Sequence, residues 1–215
     1  MKTDIDRIRR VHGSKYDAAT KEPVGHLPHN KASRNTPGRQ WPKGPNLFPE
    51  MSTMDFELDP PNGITGFPLG AAADTVRAAA AELGQVKVRD DGSAGPVHYM
   101  KVLALHPQFE IVFHIEDGKT LTAAEMWIPR PGAEEITVRF RGIDVFRTPA
   151  RELLKQLEGM GLTVLDETLY AFVPQLSMGF TRVAGHEVPL DTDGEPLYFQ
   201  AILTGPRDYY DYRLA

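Results

Sequence analysis

The chain has 215 residues, 41% of them apolar and 25% charged, which is enough apolar material for a sizeable core in one large domain or two small ones. It contains no cysteine, so disulfides, thiolate nucleophiles and cysteine-held zinc are excluded, and the expected compartment is the cytoplasm. The net charge of −5 is unevenly spread: residues 1–50 carry ten Lys/Arg against five Asp/Glu (+5), and residues 51–215 carry fourteen against twenty-four (−10), a contrast that points to partners.

Residues 1–50 read as a basic, irregular arm. After a short helical pattern (Ile5, Ile8, Val11), the large apolar residues Tyr16, Leu27, Trp41, Leu47 and Phe48 follow no period among Gly, Pro, Asn, Lys and His. Such a segment buries too little surface to offset its ordering entropy. Met51 and Met54 open the globular stretch, and a natural start at Met51, with residues 1–50 as an upstream extension, is one expectation beside a start at Met1. The N-terminus lacks the apolar core of a secretory signal, and no run of about 18 apolar residues is present to span a membrane.

Phe56 and Leu58 alternate with polar residues and predict a short strand, and Pro60-Pro61-Asn62-Gly63 predicts a turn. Residues 71–83 predict an Ala-rich helix with Val76, Ala80 and Leu83 on one face and Gly84 as its stop. Strands are predicted at 85–89, 97–105, 109–115, 120–128 and 135–141. Among these, Phe109, Ile111, Phe113 and Ile115 alternate with polar residues, Val112 excepted, and Ile136, Val138 and Phe140 alternate with Thr137, Arg139 and Arg141. Glu116-Asp117-Gly118-Lys119 is a hairpin turn.

A second helix is predicted from Thr148, as N-cap, and Pro149 to Gly161, with Leu153, Leu154, Leu157 and Met160 as its apolar stripe. Strands at about 162–166, 169–173, 177–183 and 197–204 complete the chain, and Ala184–Pro196 reads as a long hairpin loop.

Gly63-Ile64-x-x-Phe67 with a helix ending at Gly84 reappears as Gly142-Ile143-x-x-Phe146 with a helix ending at Gly161. The offsets are 79 and 77 residues, so Val76 aligns with Leu153 and Ala80 with Leu157. The expected architecture is α+β: two repeated units, 51–141 and 142–215, forming a curved antiparallel sheet with the helices on one face.

The pattern at Gly63, Ile64, Phe67, Leu69, Gly70, Val76, Leu83 and Gly84 resembles the small domains of the SmpA/OmlA outer-membrane assembly lipoproteins. The β-lactamase inhibitor protein is similar to a tandem of that module. The second unit keeps Gly142, Ile143, Phe146, Leu153 and Gly161 but loses the Leu-Gly pair, and the cysteines of those families are absent. The likeness covers about 150 of the 215 residues. It implies helices on one face of a curved sheet whose open face grips a partner. That suggests a bacterial immunity protein that neutralises a toxin by occlusion, or an envelope-assembly interaction module. Val11–Asp17 and the run to Gly44 resemble, in composition, the basic ends of secreted bacterial polymorphic toxins.

Candidate chemistry is sparse. His12, His26 and His29 could supply three imidazoles to zinc, but Pro28 keeps the last two out of one helix interior, and they read as solvated. His98, His106 and His114 lie on or beside neighbouring strands, where His98 or His114 with Glu110 or Glu116 could form a hydrolase acid–base site; the plainer reading is polar-face strand residues. Asp191-Thr192-Asp193-Gly194-Glu195 is similar to part of a calcium loop but lacks the twelfth-position ligand. Ser177 stands outside any Gly-x-Ser-x-Gly elbow, and no phosphate-cradling Gly-rich loop occurs.

The expectation is therefore a non-enzymatic protein with no catalytic residue, cofactor or metal, and a protein partner, with a basic toxin domain as the candidate. Nucleic acid enters only through the basic arm. Trp127, Tyr209, Tyr210, Asp211, Tyr212 and Arg213 are the candidate partner-binding residues, because Tyr, Trp and Arg dominate interface anchors; Trp127 adjoins Pro129-Arg130-Pro131. The competing reading is that these aromatics close the last strand onto the core.

Overall fold

The computed structural model describes residues 53–94, 97–182 and 188–211. The arm at 1–50, with its three histidines, lies outside the described residues, as do Tyr212 and Arg213.

The chain opens with β1 (Met54–Asp59), β2 (Gly63–Ile64) and β3 (Phe67–Pro68), then α1 (Ala73–Leu83). A meander follows: β4 (Gln85–Ala94), β5 (Val97–Leu105), β6 (Glu110–Ile115) and β7 (Ala123–Trp127). Next come β8 (Ile136–Phe140), β9 (Ile143–Asp144) and α2 (Ala150–Gly159). The last strands are β10 (Leu165–Asp166), β11 (Tyr170–Val173), β12 (Met178–Thr181) and β13 (Ala201–Thr204).

These elements make an α+β protein with two sheets, where a single curved sheet was expected. The large sheet is antiparallel throughout, in the order β10-β11-β12-β13-β7-β6-β5-β4. The small sheet, β3-β2-β1-β8-β9, is centred on a parallel pair, with Phe56 opposite Val138. Asp55 ties this pair together, accepting from Thr137 Oγ1 at 2.5 Å and from Arg139 Nη1 at 2.6 Å. Pairing between strands about 80 residues apart leaves no local sequence signal.

The period-2 pattern sets the inner face. Ile111, Phe113 and Ile115 on β6 are fully buried, as are Ile136 and Val138 on β8 at 1% exposure each. Both helices feed the same core: Val76 and Ala80 from α1, Leu153 and Leu157 from α2, each 1% exposed or less. Burying each such Val or Leu side chain contributes about 1.5–3 kcal/mol.

The helix ends differ from expectation. Pro149, not Thr148, occupies the N-cap of α2, with no side-chain cap bond. Instead Asp144 Oδ1 accepts the N–H groups of Phe146 and Arg147 just upstream, at 3.1 and 3.0 Å. Gly161 closes α2 in the left-handed region at φ 79°, as a helix stop does. Gly84 is extended; a Cβ there would lie 2.6 Å from the Leu105 carbonyl oxygen, so close strand approach is what requires glycine.

The outer face of the large sheet is not the open platform expected. Lys87, Leu103, Val112, Glu125, Leu203, Gly179 and Phe172 stand in one cross-strand row. Its centre is buried, with Val112 at 6%, Glu125 at 3% and Leu203 and Phe172 at 1% exposure. Among the described residues of this face, only the β4–β5 margin, with Lys87 and Arg89, is well exposed. Among the described residues no helix is long and apolar enough to cross a membrane.

Candidate functional site

The sequence-chosen aromatic cluster divides. Tyr210 is 2% exposed, sits on Gly179 and meets the Phe172 ring at 5.0 Å. A Cβ on Gly179 would lie 2.8 Å from Tyr210 Cζ, so the glycine leaves the slot that the ring fills. Tyr210 is thus a core side chain and offers no surface to a partner. Tyr209 is half-buried over Gly205, and its hydroxyl donates to Glu116 Oε1 at 3.1 Å. Asp211 is exposed, and Trp127, at the end of β7 opposite Ala201, is half-buried. The C-terminal turn closes the outer face instead of presenting a continuous aromatic surface.

The histidines do not converge. His114 Nε2 lies 3.3 Å from Glu125 Oε2, a pair buried on the outer face, and neither Glu110 nor Glu116 is its partner among the contacts described. Lys101 stands opposite His114, and burial pulls its ammonium pKa below the ordinary lysine value despite the attraction of Glu125. His98 belongs to the β4–β5 hairpin, with Nδ1 2.7 Å from Ser93 Oγ and Nε2 3.0 Å from Asp90 Oδ1. This connectivity resembles a hydrolase relay, but Asp90 is half exposed at 52% and serves the turn. The Gly92 N–H bonded to its carboxylate is the main reason its pKa is lowered. His106 stacks on Phe109 and accepts the Gln108 N–H. These are braces of strand and turn.

The Asp191 loop is likewise self-satisfied. Asp191 Oδ1 accepts the N–H groups of Asp193 and Glu195, and Arg151 bridges Asp191 and Asp193. The Glu195 N–H is the foremost cause of the lowered Asp191 pKa. No group of three or more metal-ligating side chains occurs among the described residues.

A cleft of about 360 Å³ lies where the chain passes from β7 to β8. Its floor and walls are apolar: Ala133, Ile136, Val138 and Phe146, each at most 4% exposed, with Ile128, Pro129, Pro131 and Pro189 around them. Pro129 and Pro131 fix φ along the rim, and Gly132 turns it at φ 88°. Backbone bonds Ile128 N–H to Gln200 O and Arg130 N–H to Gln108 O, 2.8 and 2.7 Å, pin the connection to its neighbours.

Arg147 fastens the cleft from below. Its Nη2 donates to the carbonyls of Ala133, Glu134 and Ile136 at 3.0, 2.9 and 2.8 Å, and its Nη1 to Asp144 Oδ2 at 2.9 Å. Arg147 and Asp144 are therefore committed to the fold. Arg130, Glu134 and Tyr198 also line the cleft, and their guanidinium, carboxylate and phenol have no hydrogen bond or ion pair among the described residues. The arrangement can hold an apolar group against the floor and polar groups at the rim. Of this site only the Pro129-Arg130-Pro131 rim stands out as a local sequence pattern. The remaining walls come from segments far apart in sequence.

The fold is α+β with an apolar recess at the β7–β8 connection, and the histidines do not converge among the described residues. No known protein family, curated protein or solved structure matches the chain.

Proposed function

We propose that this is a non-enzymatic partner-binding protein that holds another protein through the β7–β8 cleft. The observation carrying this reading is the recess itself: an apolar floor beside three polar rim side chains that satisfy nothing within the described chain. The −10 charge of residues 51–215 supports a basic partner, since an acidic body speeds encounter with a cationic surface. Neutralising a bacterial toxin domain by occlusion fits these features and the family resemblance, and a cytoplasmic location follows from that role. An envelope-assembly interaction module would use the same recess. The hydrolase alternative is less favoured, because His98 and His114 make separate contacts, His98 on the exposed β4–β5 hairpin and His114 with Glu125 on the outer face.

We also infer that the body is a duplicated unit of strand, Gly-turn, helix and four antiparallel strands. The strand order supports it: β4 to β7 and β10 to β13 meet through β7 and β13, in mirrored sequence about that pair. Phe67 and Phe146 are both 4% exposed after their Gly-Ile turns. With β8 equivalent to β1, the unit boundary moves from 141/142 to the β7–β8 connection, where the cleft lies.

The test is capture of partners by the full chain from its native cell, followed by reconstitution with the purified candidate. A stoichiometric complex whose association rate falls as salt rises is expected. Absence of any protein that rebinds the purified chain defeats the reading.

A further inference from the structure

The cleft combines donors and an apolar floor in a way that selects a particular kind of segment. Resting on the partner-binding reading, we propose that it receives the free C-terminal end of a polypeptide: an apolar last side chain on the floor, and its α-carboxylate on Arg130 and Tyr198.

Three observations carry this. First, Arg130 is an exposed guanidinium with no ion pair in the described chain, while its neighbour in the cleft, Arg147, is spent on three carbonyls and Asp144. Arg130 and Tyr198 both line the recess, and a guanidinium with a phenol supplies a donor set for a carboxylate, charge-assisted bonds being the strong ones. Second, about 360 Å³ is at the small end of ligand clefts, which suits one side chain with its terminus and not a long helix or strand. Capture of a chain terminus is a recurrent recognition mode of this scale. Third, Glu134 puts one uncommitted carboxylate on the same rim. It disfavours a purely anionic ligand and favours a cationic residue upstream of the terminus, in keeping with the acidic body.

The experiment titrates the full chain with acetyl-Lys-Ala-Ala-Phe free acid, its C-terminal amide, the free acid ending in Gly, and acetyl-Lys-Ala-Asp-Phe amide, using calorimetry and amide chemical shifts. The free acid is expected to bind about tenfold or more tighter than its amide. Shift changes are expected at Ile136, Val138 and Phe146. Replacing Phe by Gly should weaken binding, and Arg130→Gln should remove the acid-over-amide preference. Tyr198→Phe gives an independent reading if Arg130→Gln alters the melting temperature. Equal binding of acid and amide, equal binding of the internal-Asp amide, shift changes away from the cleft, or no binding of the acid at millimolar concentration each overturn the inference. Capture with wild type and Arg130→Gln separates the two proposals. A partner retained equally by both leaves the partner reading standing and removes the cleft occupant, whereas no partner with wild type removes the partner reading.

Discussion

Gly179 and Tyr210 should behave as one unit in stability measurements. Gly179 sits in β12 between Phe172 and Leu203, and a methyl added there would lie 2.8 Å from Tyr210 Cζ and 3.4 Å from Phe172 Cδ1. A real Cβ contact does not tolerate the first distance. Tyr210 is 2% exposed and boxed by the Phe172 and Tyr209 rings at 5.0 and 5.2 Å, so it cannot shift by tenths of an ångström; it must leave. Removing a buried large aromatic costs about 3–5 kcal/mol, and the lower end applies here because a turn near the chain terminus can swing out without unpairing β12 from β13. Gly179→Ala and Tyr210→Ala should therefore each destabilise by about 3 kcal/mol. Once the ring is gone, Ala at Gly179 meets no clash, and a strand prefers Ala to Gly by about 0.5–1 kcal/mol. The double variant should be no less stable than Tyr210→Ala alone, giving a coupling of about 3 kcal/mol in urea unfolding, read as midpoint shifts at constant slope. Additive costs, within about 0.5 kcal/mol, would refute the reasoning, because they would mean that the glycine is not there to admit the ring.

Two further outcomes follow from the same geometry. Arg147→Ala should lower stability by about 2–3 kcal/mol in urea unfolding, since three carbonyls and Asp144 lose a charged donor that is 42% exposed; Arg147→Lys should recover only part, because an ammonium cannot reproduce the planar fork. Lys101 has its folded-state pKa below the ordinary 10.5, so the folded state holds fewer protons in that window and its stability should rise as pH climbs toward 10.5. Lys101→Met should raise the urea midpoint at neutral pH, with the advantage shrinking as pH approaches 10.5; an advantage independent of pH sinks the assignment.

The parts of the fold legible in the sequence are those set by short-range period. The alternation through Ile111, Phe113 and Ile115 and, of the predicted stripe, Leu153, Leu154 and Leu157 name residues that are buried, because side-chain direction repeats every second or every 3.6 residues; Met160, the stripe's fourth member, lies past the last helical turn and is 40% exposed. What distant segments decide was not legible. The β1–β8 pairing turns one expected sheet into two, and the closed outer face removes the open platform that the family resemblance implied. Tyr209 and Tyr210 read equally well as interface or core; the signal that separates them is the pair of glycines, Gly179 and Gly205, whose missing side chains make room for the rings. The cleft was visible only as a proline-flanked arginine, since Arg147 reaches back across the β8 strand to carbonyls eleven to fourteen residues earlier.

That reach explains why a recess should form at the β7–β8 connection at all. A connection of this length between two sheets would ordinarily carry unpaired carbonyls and pay for order when it binds. Here one guanidinium satisfies the carbonyls of Ala133, Glu134 and Ile136, and Asp144 holds that guanidinium while its other oxygen caps the turn into α2. The recess is therefore rigid before anything enters it, and the side chains left over, Arg130, Glu134 and Tyr198, are held on a fixed frame. Frame and ligand contacts separate experimentally: Arg147→Ala should weaken both the fold and peptide binding, whereas Arg130→Gln should weaken binding alone. If Arg130→Gln instead lowered stability as much as Arg147→Ala, the rim arginine would belong to the frame and not to recognition.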